Sequence, residues 1–259
     1  MNDTIEKNKR PLTRREFTGQ SLQTLLTIAV VEHLFRGDLF AGPGKDVAVK
    51  WLNELNQIGL DLKDQKLQQL AWQKKVAELL KDIELNELLK FIDFAKLESG
   101  VKWADNGARS LRPKYPDRPG IPKNLVFGQQ IFALKPGRSV VPHGHNNMAT
   151  AFLVLKGRFQ GRHYDRIEDG KTHMIIKPTI DDSFGPGGVS TVSDQKDNVH
   201  WFKAQEVPGF IFNIHILGFD PKNKNRTGRV YVDPNGEKIS GGLIKARLVD
   251  SKEAHQLYG

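Results

Sequence analysis

The chain of 259 residues carries 39 Lys and Arg against 30 Asp and Glu, and it contains no cysteine. The absence of cysteine excludes disulfides, thiolate metal ligands and a cysteine nucleophile. The basic residues are dispersed among the acids and form no RNA-binding signature. The composition therefore indicates a globular protein with a generally basic surface, without a nucleic-acid partner and compatible with acidic small molecules.

Residues 1–41 contain an arginine pair followed by a short apolar run. Arg14 and Arg15 precede Phe17, and the apolar run covers residues 25–31. This arrangement resembles a twin-arginine export signal, and the run is too short to span a bilayer. We therefore predict an export signal over residues 1–41, a periplasmic location and no integral membrane span. The alternative is an ordinary amphipathic helix in a cytoplasmic protein.

Residues 42–98 have a helical pattern. Val47, Trp51, Leu55 and Ile58 recur at spacings of four, four and three, which places them on one face of a helix. Leucine-rich stretches over residues 67–83 and 85–92 predict a second and a third helix. This helical region is expected to pack against the rest of the chain, to cover a sheet edge or to support a homodimer.

Residues 99–122 are rich in proline and glycine and predict a linker. From residue 123 to residue 259, short apolar segments alternate with Gly and Pro turns, a pattern typical of a β-sandwich or barrel. The predicted strands cover residues 124–134, 150–164, 173–177, 189–193, 199–204, 210–217 and 229–233.

Two histidines stand two residues apart at the start of an apolar strand. Side chains at i and i+2 of a strand point to the same face, so His143 and His145 can reach one point. Imidazole nitrogen suits transition metals such as Zn, Fe, Cu and Ni. The candidates for a third ligand on another strand are His163, His173, His200 and His215. His200 is the best of them because it begins an apolar segment after a polar turn.

Gly137, His143, His145 and Gly157 stand at the spacing of the first motif of the cupin superfamily, which this segment resembles. The resemblance implies a mainly β fold, a cupin-type double-stranded β-helix barrel, here preceded by the helical region. Thr150 occupies the position at which most metal-binding cupins carry a ligand Glu.

The missing Glu narrows the resemblance to the thiol dioxygenases, cupins that hold ferrous iron with three histidines. This implies that His143, His145 and His200 bind the metal. His215 stands fifteen residues beyond His200 and matches the His of the Ser-x-His-x-Tyr group of those enzymes, which implies a catalytic role. Lys123 replaces the Arg that binds their substrate carboxylate, which implies a role in substrate binding.

The resemblance thus predicts a non-haem iron dioxygenase that takes O2 and a small molecule, in the first instance a thiol. Fe(II) is the expected metal, with Mn, Zn and Ni as alternatives. The alternative functions are a non-catalytic metal-binding cupin that binds or senses a small molecule, and a Mn or Zn isomerase.

Overall fold

The computed structural model describes residues 47–117 and 119–259. The predicted export signal over residues 1–41 lies outside this part of the chain and stays a prediction. Within the described residues, no helix is long and apolar enough to cross a membrane.

Four helices open the described chain, at α1 (Val47–Lys63), α2 (Gln69–Asp82), α3 (Leu85–Phe91) and α4 (Phe94–Ser99). Their apolar faces pack against one face of a β-sheet and share a hydrophobic core with it. Gln73 fixes α2 to that sheet, because its side chain donates to the Thr191 carbonyl oxygen at 3.0 Å and accepts from the Ser193 hydroxyl at 2.7 Å. The helical region is therefore part of the core rather than an appendage.

Eleven strands follow within the described residues, all antiparallel to their partners. They are β1 (Arg109–Leu111), β2 (Gly128–Leu134), β3 (Ser139–Asn146), β4 (Met148–Lys156), β5 (Phe159–Asp169), β6 (His173–Phe184), β7 (Val189–Val192), β8 (Val199–Ala204), β9 (Gly209–Leu217), β10 (Gly228–Ile239) and β11 (Leu243–Val249). A helix α5 (Ser251–Tyr258) ends the chain. The predicted mainly β fold with a preceding helical region is confirmed.

The strands form two layers. One is a five-stranded sheet in the order β1-β2-β9-β4-β7, and the other is a closed barrel in the order β10-β11-β6-β5-β8-β3. Phe152 of the sheet and Phe202 of β8 meet in the core between the two layers. Val199, also on β8, belongs to a separate core inside the barrel. The face of β8 turned towards the five-stranded sheet is therefore buried throughout, while its other face runs from the buried Val199 to the exposed Lys203.

The structure corrects several predicted strand boundaries. The segment predicted as one hairpin arm over residues 150–164 is two strands in different layers, whereas the turn predicted at Gly157 is confirmed by its φ of 80°. A side chain there would place its Cβ atom 2.7 Å from the Pro208 carbonyl oxygen. β6 and β10 extend beyond their predicted ends, and β11 and α5 were not predicted. The short strand β1 lies within the predicted linker.

Candidate metal centre

Three histidines meet on the face of the barrel that is turned towards the sheet. His143 and His145 come from β3, and the β3–β8 pairing places His200 directly opposite His143. One ring nitrogen of each histidine lies within 4.8 Å of those of the other two. All three side chains are buried. Three nitrogen donors at this separation could hold one metal ion.

Backbone carbonyl groups fix the rings of two of these histidines. The Nδ1 of His143 lies 2.7 Å from the Val141 carbonyl oxygen, and the Nδ1 of His200 lies 3.1 Å from that of Asn198. Because a carbonyl oxygen only accepts, both Nδ1 atoms carry the hydrogen and donate it. The lone pair of each ring is then on Nε2, as a metal ligand requires.

Thr150 contacts the third histidine. Its hydroxyl lies 3.3 Å from the Nδ1 of His145, a position from which it can orient the ring of this candidate ligand. The Nε2 atoms of His145 and His200 are buried and have no hydrogen-bond partner in the part of the chain that is described. Buried polar atoms without a partner are rare and costly, and a bound metal would satisfy both. The residues present therefore fit a metal ion.

The surroundings keep these histidines neutral. Burial lowers the pKa of His145 to about 3, and the positive charge of Arg229 adds to the effect. Burial also holds the pKa of His143 well below its usual range, and the charge of Arg229 contributes. The pKa of His200 is likewise held well below its usual range by burial, with contributions from the neighbouring histidines. Neutral imidazole is the form that binds metal, so the site is ready for an ion at neutral pH.

Asn198 connects the strand of the histidine pair to the turn before β8. Its amide group accepts from the His145 backbone N–H at 3.1 Å and donates to the His145 and Ser193 carbonyl oxygens, each at 3.0 Å. Gly144 leaves the room for this side chain, since a Cβ atom there would lie 2.7 Å from the Asn198 Oδ1. The sequence analysis did not identify Asn198, although it stands in the polar turn beside His200.

A cavity of about 230 Å³ opens beside the histidine cluster, between the sheet and the barrel. One part of its wall is apolar and comes from Phe132, Met148, Phe152 and Leu217. The remaining wall consists of Gln130, His143, His145, Thr150, Asn213, His215, Thr227, Gly228 and Arg229. The cavity therefore offers a small molecule an apolar wall, a polar wall and direct access to two of the three candidate ligands.

His215 lies in this cavity, outside the three-histidine cluster. Its Nδ1 is 3.3 Å from the Oδ1 of Asn213, which also accepts from the Gln130 side chain at 3.1 Å. Burial lowers the pKa of His215 to about 4, and the charges of Arg229 and Arg112 contribute. His215 is therefore neutral at neutral pH and belongs to a hydrogen-bonded row of side chains along the cavity wall.

The other predicted site residues lie elsewhere. Lys123 is exposed on the loop before β2 and is absent from the cavity wall, where the cationic residue is Arg229. His163 is buried beside His200, with its Nε2 3.1 Å from the Ser190 hydroxyl, and is not a member of the cluster. His173 lies on β6, also outside the cluster. Sequence reasoning missed Arg229 because the residue stands beyond every motif that it used.

No family model matches this sequence, and no curated protein matches it. Solved structures give similarities of fold. A cupin superfamily protein from Desulfitobacterium hafniense is 17% identical, with 46% of this chain and 86% of that chain covered and a TM-score of 0.30. A protein with a double-stranded beta-helix domain from Klebsiella pneumoniae is 11% identical, with coverages of 51% and 85% and a TM-score of 0.32.

An 11S globulin from Wrightia tinctoria is 15% identical, with a TM-score of 0.30. The match covers 40% of this chain and only 22% of the globulin. All three TM-scores lie below 0.5, so the fold assignment rests on the strand pairing itself. The closed six-stranded antiparallel barrel packed on a second sheet is the cupin-type double-stranded β-helix that the sequence predicted.

Proposed function

We propose that this chain is a metal-dependent enzyme of the cupin type, a non-haem iron dioxygenase that acts on a small molecule. The observation that carries the proposal is the convergence of His143, His145 and His200 beside a cavity large enough for such a molecule. Two of the three histidines form part of the cavity wall, so a molecule bound there lies next to the metal ligands.

The ligand set suits ferrous iron as well as Zn(II). The described residues of the cluster and of the cavity wall include no Asp or Glu, so the protein would hold the ion by three neutral nitrogen atoms alone. When bound in this way, ferrous iron would supply the one-electron chemistry that reaction with dioxygen requires. Mn, Zn and Ni remain the alternatives to be distinguished by elemental analysis.

His215 is the residue of the cavity wall that we propose for proton transfer. Its Nδ1–H donates to the Asn213 Oδ1, so its Nε2 is free to accept a proton from a bound molecule. Its lowered pKa keeps the ring neutral before the transfer. Small thiols are the first substrates to test, because Asn213 and His215 occupy the place of the Ser-x-His pair in the thiol dioxygenases.

A second candidate function follows from Leu217. This residue lines the cavity at the position where the thiol dioxygenases carry a Tyr, so the hydroxyl of that group is missing here. His215 is then the one side chain of the described cavity wall, apart from the proposed metal ligands, that could accept a proton from a bound molecule. This favours, as the alternative, a cupin that binds a metal and a small molecule without converting it.

Elemental analysis of anaerobically purified protein, followed by oxygen uptake with a panel of small thiols, tests the proposal. Stoichiometric iron with thiol-dependent oxygen uptake is expected. Bound metal without uptake for any substrate would favour the non-catalytic alternative. Absence of metal after reconstitution with Fe(II), Mn(II), Zn(II) and Ni(II) would contradict both candidates.

Two substitutions test whether the metal binds at the three-histidine cluster. His200→Ala is expected to abolish stoichiometric metal binding because it removes one of three ligands. His173→Ala, which changes a partly exposed histidine on β6, is expected to retain it. Full metal content in His200→Ala would show that the ion binds elsewhere.

A further inference from the structure

The cavity wall is electropositive. Arg229 is its one charged side chain among the residues described, and no carboxylate faces it. Arg112 adds a second positive charge near His215, as its effect on the pKa of that residue indicates. A divalent ion held by three neutral histidines would bring further positive charge that no protein carboxylate in the wall offsets. Negative charge on a ligand therefore favours its binding in this cavity.

The strand register directs Arg229 towards the cluster. In the β10–β3 pair Arg229 lies directly opposite His145, and directly opposed residues of antiparallel strands have their side chains on the same face. An exposed arginine on its own indicates nothing, and what distinguishes Arg229 is this position at the cavity.

Among the described residues Arg229 has no carboxylate partner, whereas three other arginines have one. Arg162, Arg166 and Arg247 each form an ion pair with an Asp or a Glu. Arg229 forms neither an ion pair nor a side-chain hydrogen bond within residues 47–117 and 119–259. Its five N–H donors are free for a ligand, in the planar fork that matches the two oxygens of a carboxylate.

We propose that the molecule bound in this cavity carries a carboxylate group, and that Arg229 is the residue that recognises it. The apolar part of the same molecule would lie against Phe132, Met148 and Phe152, the apolar wall of the cavity. This inference rests on the proposed function in one respect, since it takes the cavity beside the metal ligands as the substrate site. It assigns to Arg229 the carboxylate recognition that the sequence predicted for Lys123.

Propionate and propionamide provide the test, because they have nearly the same shape and differ in charge. We would titrate each into metal-free and into Zn(II)-loaded protein by isothermal calorimetry. Propionate is expected to bind at least about tenfold more tightly than propionamide in both forms. In the metal-free protein Arg229→Gln should remove this preference, and Arg229→Lys should retain part of it as a point charge. In the Zn(II)-loaded protein the ion itself attracts a carboxylate, so Arg229→Gln should reduce the preference without removing it. The matched control is Arg226→Gln, an exposed arginine of the preceding loop that does not line the cavity.

Two results would overturn the inference: no preference for propionate in the unmodified protein, or an undiminished preference in Arg229→Gln. Methanesulfonate and inorganic phosphate are titrated in parallel, and tighter binding of either than of propionate would contradict the choice of a carboxylate. Metal content, measured on the same samples, separates this inference from the proposed function. Stoichiometric metal without the preference would overturn the inference alone. Arg229-dependent propionate binding in a protein that takes up no metal would support it while contradicting the proposed function.

Discussion

Gly128 lies directly opposite His215 in the β2–β9 pair, and its lack of a side chain leaves the space that the His215 ring occupies. A Cβ atom at position 128 would collide with three atoms of that ring. The ring therefore lies across the neighbouring strand, where Asn213 and the cavity fix its orientation. The small residue on β2 is thus a determinant of the cavity wall, although it provides no functional group.

Gly128→Ala is expected to displace His215 while leaving the three-histidine cluster intact. Overpacking of this kind costs about 1–3 kcal/mol of unfolding free energy. We expect retained metal content, reduced thiol-dependent oxygen uptake and lower stability in urea. Gly100→Ala is the matched control, since its Cβ atom would meet its nearest atom at an ordinary 3.4 Å. In a His215→Ala background the cost of Gly128→Ala should largely disappear, and an unchanged cost would contradict the proposed collision.

Thr150→Val is expected to weaken metal binding without unfolding the protein. The substitution keeps the shape of the side chain and removes the hydroxyl group that contacts the Nδ1 of His145. Loss of such an outer partner typically lowers metal affinity about 10- to 100-fold. Competition with a chelator for Zn(II) would measure the change, with the exposed Thr172→Val as control. Equal affinities of the two variants would mean that Thr150 does not orient the ligand.

The three-histidine cluster could be predicted from the sequence because each member carries a local signal. His143 and His145 have the two-residue spacing of a strand face, and His200 stands where a polar turn meets an apolar strand. The mainly β fold could be predicted from the alternation of apolar residues between Gly and Pro turns. These features depend on residues that are close together in the chain.

The missed features depend on pairing between distant segments. Arg229 reaches His145 only because β10 returns across the barrel to pair with β3, and no local pattern indicates that register. Gly157 was recognised as a turn, but the separation of β4 and β5 into different layers depends on their pairing with β9 and β8, which no local pattern indicates. β11 was missed because its side chains are mostly exposed or half-buried, which leaves little alternation to detect.

Asn198→Ala is expected to reduce both stability and metal affinity. The substitution removes three hydrogen bonds that join β3 to the turn before β8. The His145 carbonyl oxygen keeps its bond from Arg166, whereas the His145 N–H and the Ser193 carbonyl oxygen lose the Asn198 side chain as a partner. Each such unsatisfied group costs about 1–3 kcal/mol. Urea unfolding of the metal-free protein would measure the loss, and a loss no larger than that of Asn225→Ala, on the exposed loop, would contradict this role.

The metal-free protein is expected to lose stability as the pH falls below about 6.5. The buried residues His143, His145, His163 and His200 all have a lowered pKa in the folded chain, with values of about 3 for His145 and about 4 for His163. Between the unfolded pKa and these folded values the unfolded chain binds protons that the folded chain does not, so acid favours unfolding. Each such proton contributes a slope of about 1.4 kcal/mol per pH unit.

Urea titrations of metal-free protein from about pH 7.5 to about pH 4.5 would measure this slope. Above about pH 7.5 these histidines are largely neutral in both states and contribute almost no slope, which develops as the pH falls through the unfolded pKa of about 6.5. His163→Gln removes one of the four groups without removing a metal ligand, so its slope should be smaller by about one proton. A stability that is constant down to about pH 5, or a slope unchanged in His163→Gln, would mean that these histidines are not held neutral by burial.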